Sequence, residues 1–133
     1  MMAKIAIVYA SGITHNTKHV AEYIASKTDS DLFDLKAVDP DIADYDEVVI
    51  GTGVHAGKTY KQVDSFIEKN RKILDEKKTT LFVMCIYSDK KGEEQLKKIS
   101  ERLSIHDAVF FNMKDAPKDG VPAAVDDLVR RLS

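Results

Sequence analysis

Residues 4–27, KIAIVYASGITHNTKHVAEYIASK, decide the fold because a continuous apolar run leads directly into a helical repeat. Lys4 to Tyr9 is short, apolar and rich in β-branched residues, which is typical of a strand buried on both faces. Asn16 to Lys27 is predicted as an amphipathic helix, because apolar residues recur there at helical spacing. These are Val20, Ala21, Ile24 and Ala25. The segment therefore predicts a strand, a polar loop and a helix in immediate succession.

The alternation of strand and helix continues along the rest of the chain. Further strands are predicted at Leu32–Leu35, Glu47–Gly51, Thr80–Tyr87 and Ala108–Met113. Further helices are predicted through Tyr60–Leu74 with Thr59 as N-cap, through Leu96–Leu103, and from a first-turn Pro122 to Leu132. Because the strands are apolar throughout, they indicate a parallel sheet with helices on both faces. Right-handed crossovers then predict a doubly wound α/β fold.

Length and composition limit the class of protein. At 133 residues, with 44% hydrophobic and 32% charged residues, we expect a single globular domain spanning 1–133. No apolar run approaches the roughly 20 residues that cross a bilayer, so membrane insertion is not expected. The N-terminus passes straight into a strand pattern, which predicts no signal peptide and a cytoplasmic location.

Charge and cysteine content exclude further classes. A formal charge of −2 and a pI near 6.1 do not favour nucleic acid as a partner. The single Cys85 excludes an intramolecular disulfide and any multi-cysteine metal site, and it is predicted as a buried small apolar residue. His15 and His19 have a metal-pair spacing but no evident third ligand, so no metal is predicted.

In a doubly wound sheet, ligands bind beyond the carboxyl ends of the strands, where strand order reverses. This rule selects the loops at 10–17, 52–58 and 86–92. The first loop enters a helix N-terminus, whose amides and dipole attract anions. Ser11, Thr14 and Thr17 add hydroxyls and Asn16 adds an amide, which predicts a phosphate held without any cation. The alternative is structural, with Asn16 or Thr14 capping the helix and Ser11 serving the turn.

Three other classes of phosphate site are excluded because the chain lacks the residues that their motifs require. A nucleoside-triphosphate loop needs a second glycine followed by Lys-Ser/Thr, but Thr17-Lys18-His19 follows the four residues after Gly12. A dinucleotide loop needs three spaced glycines, and only Gly12 is present. A phospho-acceptor domain needs acids where this chain has Ala10-Ser11 and Thr52-Gly53.

The second loop suits a flat ligand. Gly51, Gly53 and Gly57 let the backbone approach a ring system closely. His55 is predicted to stack on such a ring or donate to it, and the alternative is a surface histidine. Tyr60 is predicted to pack on its own helix.

The third loop contains an aromatic candidate. Tyr87 is predicted to cover the other face of the ring. The equal alternative is a tyrosine that closes the sheet edge.

Two segments resemble a known family. IVYASGITHNTKHVAEYIA, residues 7–25, resembles the flavodoxin signature of an apolar strand, Tyr-x-Ser, a turn and a helix. DYDEVVIGTGVHAGKTYKQVDSFIEKN, residues 44–70, resembles the branch related to menaquinone-dependent protoporphyrinogen dehydrogenase. The resemblance implies a flavodoxin-like five-stranded parallel sheet of order 2-1-3-4-5, with bound FMN.

The resemblance also implies the cofactor-binding residues. The FMN phosphate is expected on Ser11, Gly12, Ile13, Thr14, His15, Asn16 and Thr17. The isoalloxazine is expected between Thr52, Gly53, Val54, His55, Ala56 and Gly57 on one side and Cys85, Ile86, Tyr87 and Ser88 on the other. The chain departs from the family spelling at Ile13, which lengthens the phosphate loop by one residue. It departs again at His15, which stands where the family has glycine.

The function expected from these features is electron transfer by a flavodoxin-like flavoprotein that works with redox partner proteins, a reductase and an electron acceptor. No catalytic residue is assigned. A ring site without nearby cations is expected to keep the potential low. The alternatives are a flavoenzyme of the protoporphyrinogen or quinone oxidoreductase type and a flavin-free binding or regulatory domain.

Overall fold

A computed structural model describes residues 4–12, 15–55, 58–84, 89–112 and 120–132. The strands are β1 (Ile5–Ala10), β2 (Ser30–Asp34), β3 (Glu47–His55), β4 (Lys58–Thr59), β5 (Lys78–Met84) and β6 (Ala108–Phe111). The helices are α1 (Asn16–Lys27), α2 (Lys61–Lys69), α3 (Arg71–Asp75), α4 (Asp89–Leu103) and α5 (Ala124–Arg131). The helix predicted over Asn16–Lys27 is confirmed at both ends.

The central sheet has the predicted order. Its parallel strands run β2-β1-β3-β5-β6, which is 2-1-3-4-5 once the two-residue β4 is set aside. β4 pairs antiparallel with the end of β3 and was not predicted. The register places Ala10 beside Thr52, and Thr52 beside Val83. The carboxyl ends of β1, β3 and β5 therefore meet at one edge.

Alternate residues of the central strands supply two cores, one on each face of the sheet. In β1, Ala6 and Val8 face the core that contains α2, α3 and α4. Ile5 and Ile7 face the core that contains α1 and α5. Both faces of β1 are fully buried, which is why its sequence is apolar without alternation. Among the described helices, none is long and apolar enough to cross a membrane.

The start of α2 differs from the prediction. Thr59 lies in β4, and Tyr60 is the N-cap, in an extended conformation without a side-chain cap bond. The long helix is also divided at Asn70, whose buried side chain donates to the Phe66 carbonyl at 2.9 Å. A side chain that bonds to a carbonyl one turn earlier competes with the backbone ladder, and such residues favour helix breaks.

Other boundaries shift at strand and helix ends. β3 continues to His55 through residues predicted as loop, because Val54 and His55 pair with β4. Pro122 precedes α5 instead of opening it, and its carbonyl accepts the Val125 N–H at 3.0 Å. The strands predicted at Leu32–Leu35, Thr80–Tyr87 and Ala108–Met113 are observed at Ser30–Asp34, Lys78–Met84 and Ala108–Phe111.

Candidate functional site

The loop after β1 reaches α1 through a turn that a glycine would favour. His15 is the N-cap of α1 and has φ 57° and ψ 20°, in the left-handed region. Its N–H donates to the Gly12 carbonyl at 3.1 Å, which closes the turn. The side chain of His15 is exposed and makes no cap bond. His15 thus adopts the left-handed conformation that glycine enters most readily.

Ser11 belongs to the structure of the loop. Its hydroxyl oxygen accepts the Lys18 N–H at 3.2 Å and so caps one amide in the first turn of α1. This bond gives Ser11 a structural role, while its own O–H remains a donor for a ligand. The amides of Asn16 and Thr17 have no acceptor within the helix, as in every first helical turn. They are the donors that the end of α1 offers to an anion.

Thr17 is a buried polar residue whose hydroxyl lacks a partner among the described residues. The residue is 2% exposed, and its hydroxyl makes no hydrogen bond to any described residue. In the described part of the chain, every fully buried side-chain nitrogen or oxygen has a hydrogen-bond partner. The Thr17 hydroxyl has none, so it is not fully buried and reaches open space. It lies 3.3 Å from the position that a Cβ on Gly53 would take. Thr17 therefore joins the first loop to the end of β3.

The space above the two site glycines is filled by Tyr60. The hydroxyl of Tyr60 lies 2.0 Å from the position of a Cβ on Gly12, and its ring carbon Cε2 lies 2.7 Å from that of a Cβ on Gly53. Tyr60 also packs against the core on the α2 face, as predicted. Its ring crosses from the start of that helix to the first loop, a contact that the sequence prediction missed. Glycine at both positions is required for this close approach.

Lys36 brings a cation to the site. Its ammonium donates to the Ser11 carbonyl at 2.5 Å and lies 4.8 Å from the centre of the Tyr60 ring. A cation therefore lies at the first loop, where the sequence predicted a phosphate held by neutral donors. Lys36 follows β2, and the predicted strand order already placed β2 beside β1. That order was the signal that could have identified Lys36.

Thr52 and Gly51 have internal roles. The Thr52 side chain is fully buried, and its hydroxyl donates to the Gly53 carbonyl at 2.8 Å and accepts the Tyr60 N–H at 3.3 Å. It ties β3 to the start of α2, so any contact of Thr52 with a ligand is left to its peptide group. Gly51 makes room for the buried Phe82 ring, 2.2 Å from the position of a Cβ. It does not face a flat ligand, contrary to the prediction.

Several predicted site residues cannot be placed. Ile13, Thr14, Ala56, Gly57, Cys85, Ile86, Tyr87 and Ser88 lie outside the described residues, and so does the side chain of His55. The backbones of Val54 and His55 belong to the β3–β4 hairpin. Within the described ranges, no group of three or more His, Cys, Asp or Glu side chains could hold a metal ion.

Comparisons with known proteins identify a family. A family model described as a flavodoxin domain matches residues 6–114 of this chain. An uncharacterized protein of Methanocaldococcus jannaschii is 34% identical over 67 residues. That alignment covers 50% of this chain and 45% of the relative, so it spans about half of each.

Solved structures show the same fold at low identity. Oxidised flavodoxin 1 from Bacillus cereus has a TM-score of 0.67 at 18% identity, covering 97% of this chain and 94% of its own. A flavoprotein from Lactobacillus acidophilus, solved in complex with FMN, has a TM-score of 0.61 at 16% identity. It covers 85% of this chain and 94% of its own.

Proposed function

The chain is a member of the flavodoxin-domain family, and on that premise we propose that it binds FMN and transfers electrons between partner proteins. The observation that carries the proposal is Thr17, a buried threonine whose hydroxyl has no partner among the described residues and reaches open space at the end of α1. A hydroxyl that opens beside a helix N-terminus can donate to an anionic ligand, and hydrogen bonds to charged acceptors are stronger than those between neutral groups. The FMN-bound relative supports the same cofactor.

The phosphate of FMN would be held at the start of α1. The amides of Asn16 and Thr17 and the Thr17 hydroxyl would donate to its oxygens, and the helix dipole favours its charge. The left-handed turn at His15 orients the first turn of the helix relative to Gly12. Lys36, bonded to the Ser11 carbonyl, adds a positive charge at the same loop. These residues fit a phosphate monoester.

The ring of the cofactor would lie against the edge formed by β3 and β5. Tyr60 already covers Gly53 there, so a flat ligand must stack on Tyr60 or displace it. FMN supplies the redox chemistry when it is bound, and the protein supplies binding, orientation and electrostatics. A cation such as Lys36 favours the more negatively charged redox state of any cofactor nearby.

The experiment that tests the proposal is an FMN titration of the flavin-free protein. We expect saturable binding, followed by flavin fluorescence and by the absorbance of the purified complex. Thr17→Val keeps the shape of the side chain and removes its hydroxyl. We expect affinity to fall roughly 10-fold or more, because a hydrogen bond to a charged group contributes about 1.5–3 kcal/mol.

Thr28→Val is the matched control at the other end of α1. The Thr28 hydroxyl donates to the Ile24 carbonyl, so its loss affects the helix end and leaves FMN affinity unchanged. A wild-type protein without affinity for FMN would overturn the proposal. Equal affinities for wild type and Thr17→Val would remove Thr17 from the site.

The proposed partners are a reductase and an electron acceptor. The FMN-loaded protein should exchange electrons with a flavodoxin reductase and should not turn over a quinone or a porphyrinogen. Steady turnover of either small molecule would instead favour the oxidoreductase alternative and its menaquinone-dependent branch.

A further inference from the structure

A polar cleft lies on the β2 side of the first loop. It has a volume of about 450 Å³ and opens between the carboxyl ends of β1 and β2 and the start of α1. Its polar lining consists of Tyr9, Ser11, His15, Lys18, Asp34 and Lys36. The proposed flavin ring site lies on the β3 side of the same loop. A cleft of this volume is large enough for a small ligand.

Tyr9 provides the cleft with a hydrogen-bond donor from the core side. The residue is 4% exposed and packs in the core beneath α1, yet its hydroxyl makes no hydrogen bond to any described residue. In the described ranges, every fully buried side-chain oxygen has a hydrogen-bond partner. The Tyr9 hydroxyl has none, so it is not fully buried, and Tyr9 lines the cleft. Burial, and then the charges of Asp34 and Glu22, raise the pKa of Tyr9 above its ordinary value of 10.0. The group therefore remains a hydrogen-bond donor at neutral pH.

Two cations and one carboxylate line the cleft around Tyr9. Lys18 is exposed at the cleft, and the ammonium of Lys36 keeps further donor hydrogens after its bond to the Ser11 carbonyl. Oδ1 of Asp34 accepts the backbone N–H of Lys36 at 2.9 Å. Oδ2 of Asp34 has no hydrogen bond to any described residue. An inorganic anion would use the cations but would be repelled by the carboxylate. A ligand with an anion and hydroxyl groups would use both.

We propose that this cleft binds a phosphorylated ribose, with Lys18 and Lys36 at the phosphate and Asp34 and Tyr9 at the hydroxyls. Asp34 lies beside Tyr9 in the register of β1 and β2, so the carboxylate and the phenol occupy neighbouring positions at one end of the cleft. The chain lacks the three-glycine dinucleotide loop, so the proposal depends on the lining of the cleft alone.

The experiment titrates FMN-loaded protein with AMP and monitors amide chemical shifts. Parallel titrations use inorganic phosphate and 2′,3′-dideoxyadenosine monophosphate, which lacks the ribose hydroxyls. We expect AMP to bind, and both comparison ligands to bind at least about 5-fold more weakly, a difference of about 1 kcal/mol. The same titration on flavin-free protein shows whether bound FMN changes AMP affinity, since Ser11, His15 and Lys36 lie close to both proposed sites.

Two variants assign the groups. Asp34→Asn removes the charge at nearly constant shape and should weaken AMP several-fold while leaving phosphate binding equal or tighter. Tyr9→Phe removes only the hydroxyl and should weaken AMP without changing phosphate binding. Lys27→Gln, in the last turn of α1 and outside the cleft, is the control and should change neither. Thermal unfolding of each variant confirms that the fold is retained.

Three results would overturn the proposal. The first is that AMP does not bind to the FMN-loaded protein or binds no better than phosphate. The second is that FMN displaces AMP, which would place AMP in the flavin phosphate site. The third is that Asp34→Asn strengthens AMP binding, which would make the ligand a bare anion. If FMN itself does not bind, the AMP titration of flavin-free protein still tests the cleft separately.

Discussion

His15→Gly should stabilise the protein by about 0.5–1 kcal/mol. A left-handed backbone such as that of His15, with φ 57°, costs a residue with a side chain roughly 1–2 kcal/mol. Glycine adopts it freely but loses about 0.4–1 kcal/mol through its larger unfolded-state entropy. The side chain of His15 is exposed and makes no cap bond, so little else is lost. The difference corresponds to a rise in Tm of a few degrees.

The same backbone conformation at Ser104 provides a matched control. Ser104 has φ 54° and follows the last residue of α4 in a Schellman motif. In this motif the Ser104 N–H donates to the Glu101 carbonyl at 3.3 Å, and the Ile105 N–H donates to the Ser100 carbonyl at 3.1 Å. Ser104→Gly should stabilise by a similar amount without any effect on FMN affinity. His15→Gly should retain FMN binding, because the turn that it stabilises is already present.

Urea denaturation of both glycine variants, with and without FMN, measures these effects. A valine series tests the sign, since β-branched residues are outliers in the left-handed region. His15→Val and Ser104→Val should each destabilise by about 1 kcal/mol or more. If His15→Gly lowers the free energy of unfolding, or if valine is tolerated as well as histidine, the left-handed turn at position 15 is wrong.

Three further predictions concern the electrostatics and packing around the sheet. Lys36→Gln should lower the midpoint potential of the FMN-loaded protein in a redox titration, and an unchanged potential would place the Lys36 charge away from the ring. Gly51→Ala should destabilise by about 2 kcal/mol because its Cβ meets the buried Phe82 ring. Combining it with Phe82→Leu should recover part of that loss in a double-mutant cycle, and strict additivity would contradict the contact. The hydrogen bond to Asp31, and then burial, raise the pKa of Tyr45 to about 12. The neutral phenol is therefore favoured in the folded state, and its contribution to stability should be complete below pH 10 and decline between pH 10 and 12. Tyr45→Phe should remove that decline from the pH profile of the free energy of unfolding.

The sheet and its first helix could be predicted because burial on both faces leaves a direct mark on the sequence. β1 is apolar at every position since helices cover both of its sides. α1 has its buried residues at helical spacing, among them Val20, Ala21 and Ile24. Parallel strands with intervening helices then permit few topologies, and the order 2-1-3-4-5 followed from the family resemblance.

Short or tertiary features could not be predicted in the same way. β4 has two residues, which is too few to show any period, yet it carries β3 onward to His55. The division of α2 from α3 depends on one buried side chain, Asn70, within an otherwise continuous apolar repeat. Lys36 lies in a turn whose own sequence is uninformative. Its place at the first loop is visible only once β2 is set beside β1.

The glycines of the site show why spacing alone misleads. Gly53 was interpreted as space for a flat ligand, and a flat group does lie there, but it is the ring of Tyr60. A Cβ on Gly53 would collide with Tyr60 in the protein without a cofactor. Loss of FMN binding in a Gly53→Ala variant would therefore not identify Gly53 as a ligand contact. Only the pair of Gly53→Ala with Tyr60→Leu separates the two causes, because the smaller side chain removes the collision and leaves the cofactor as the remaining neighbour.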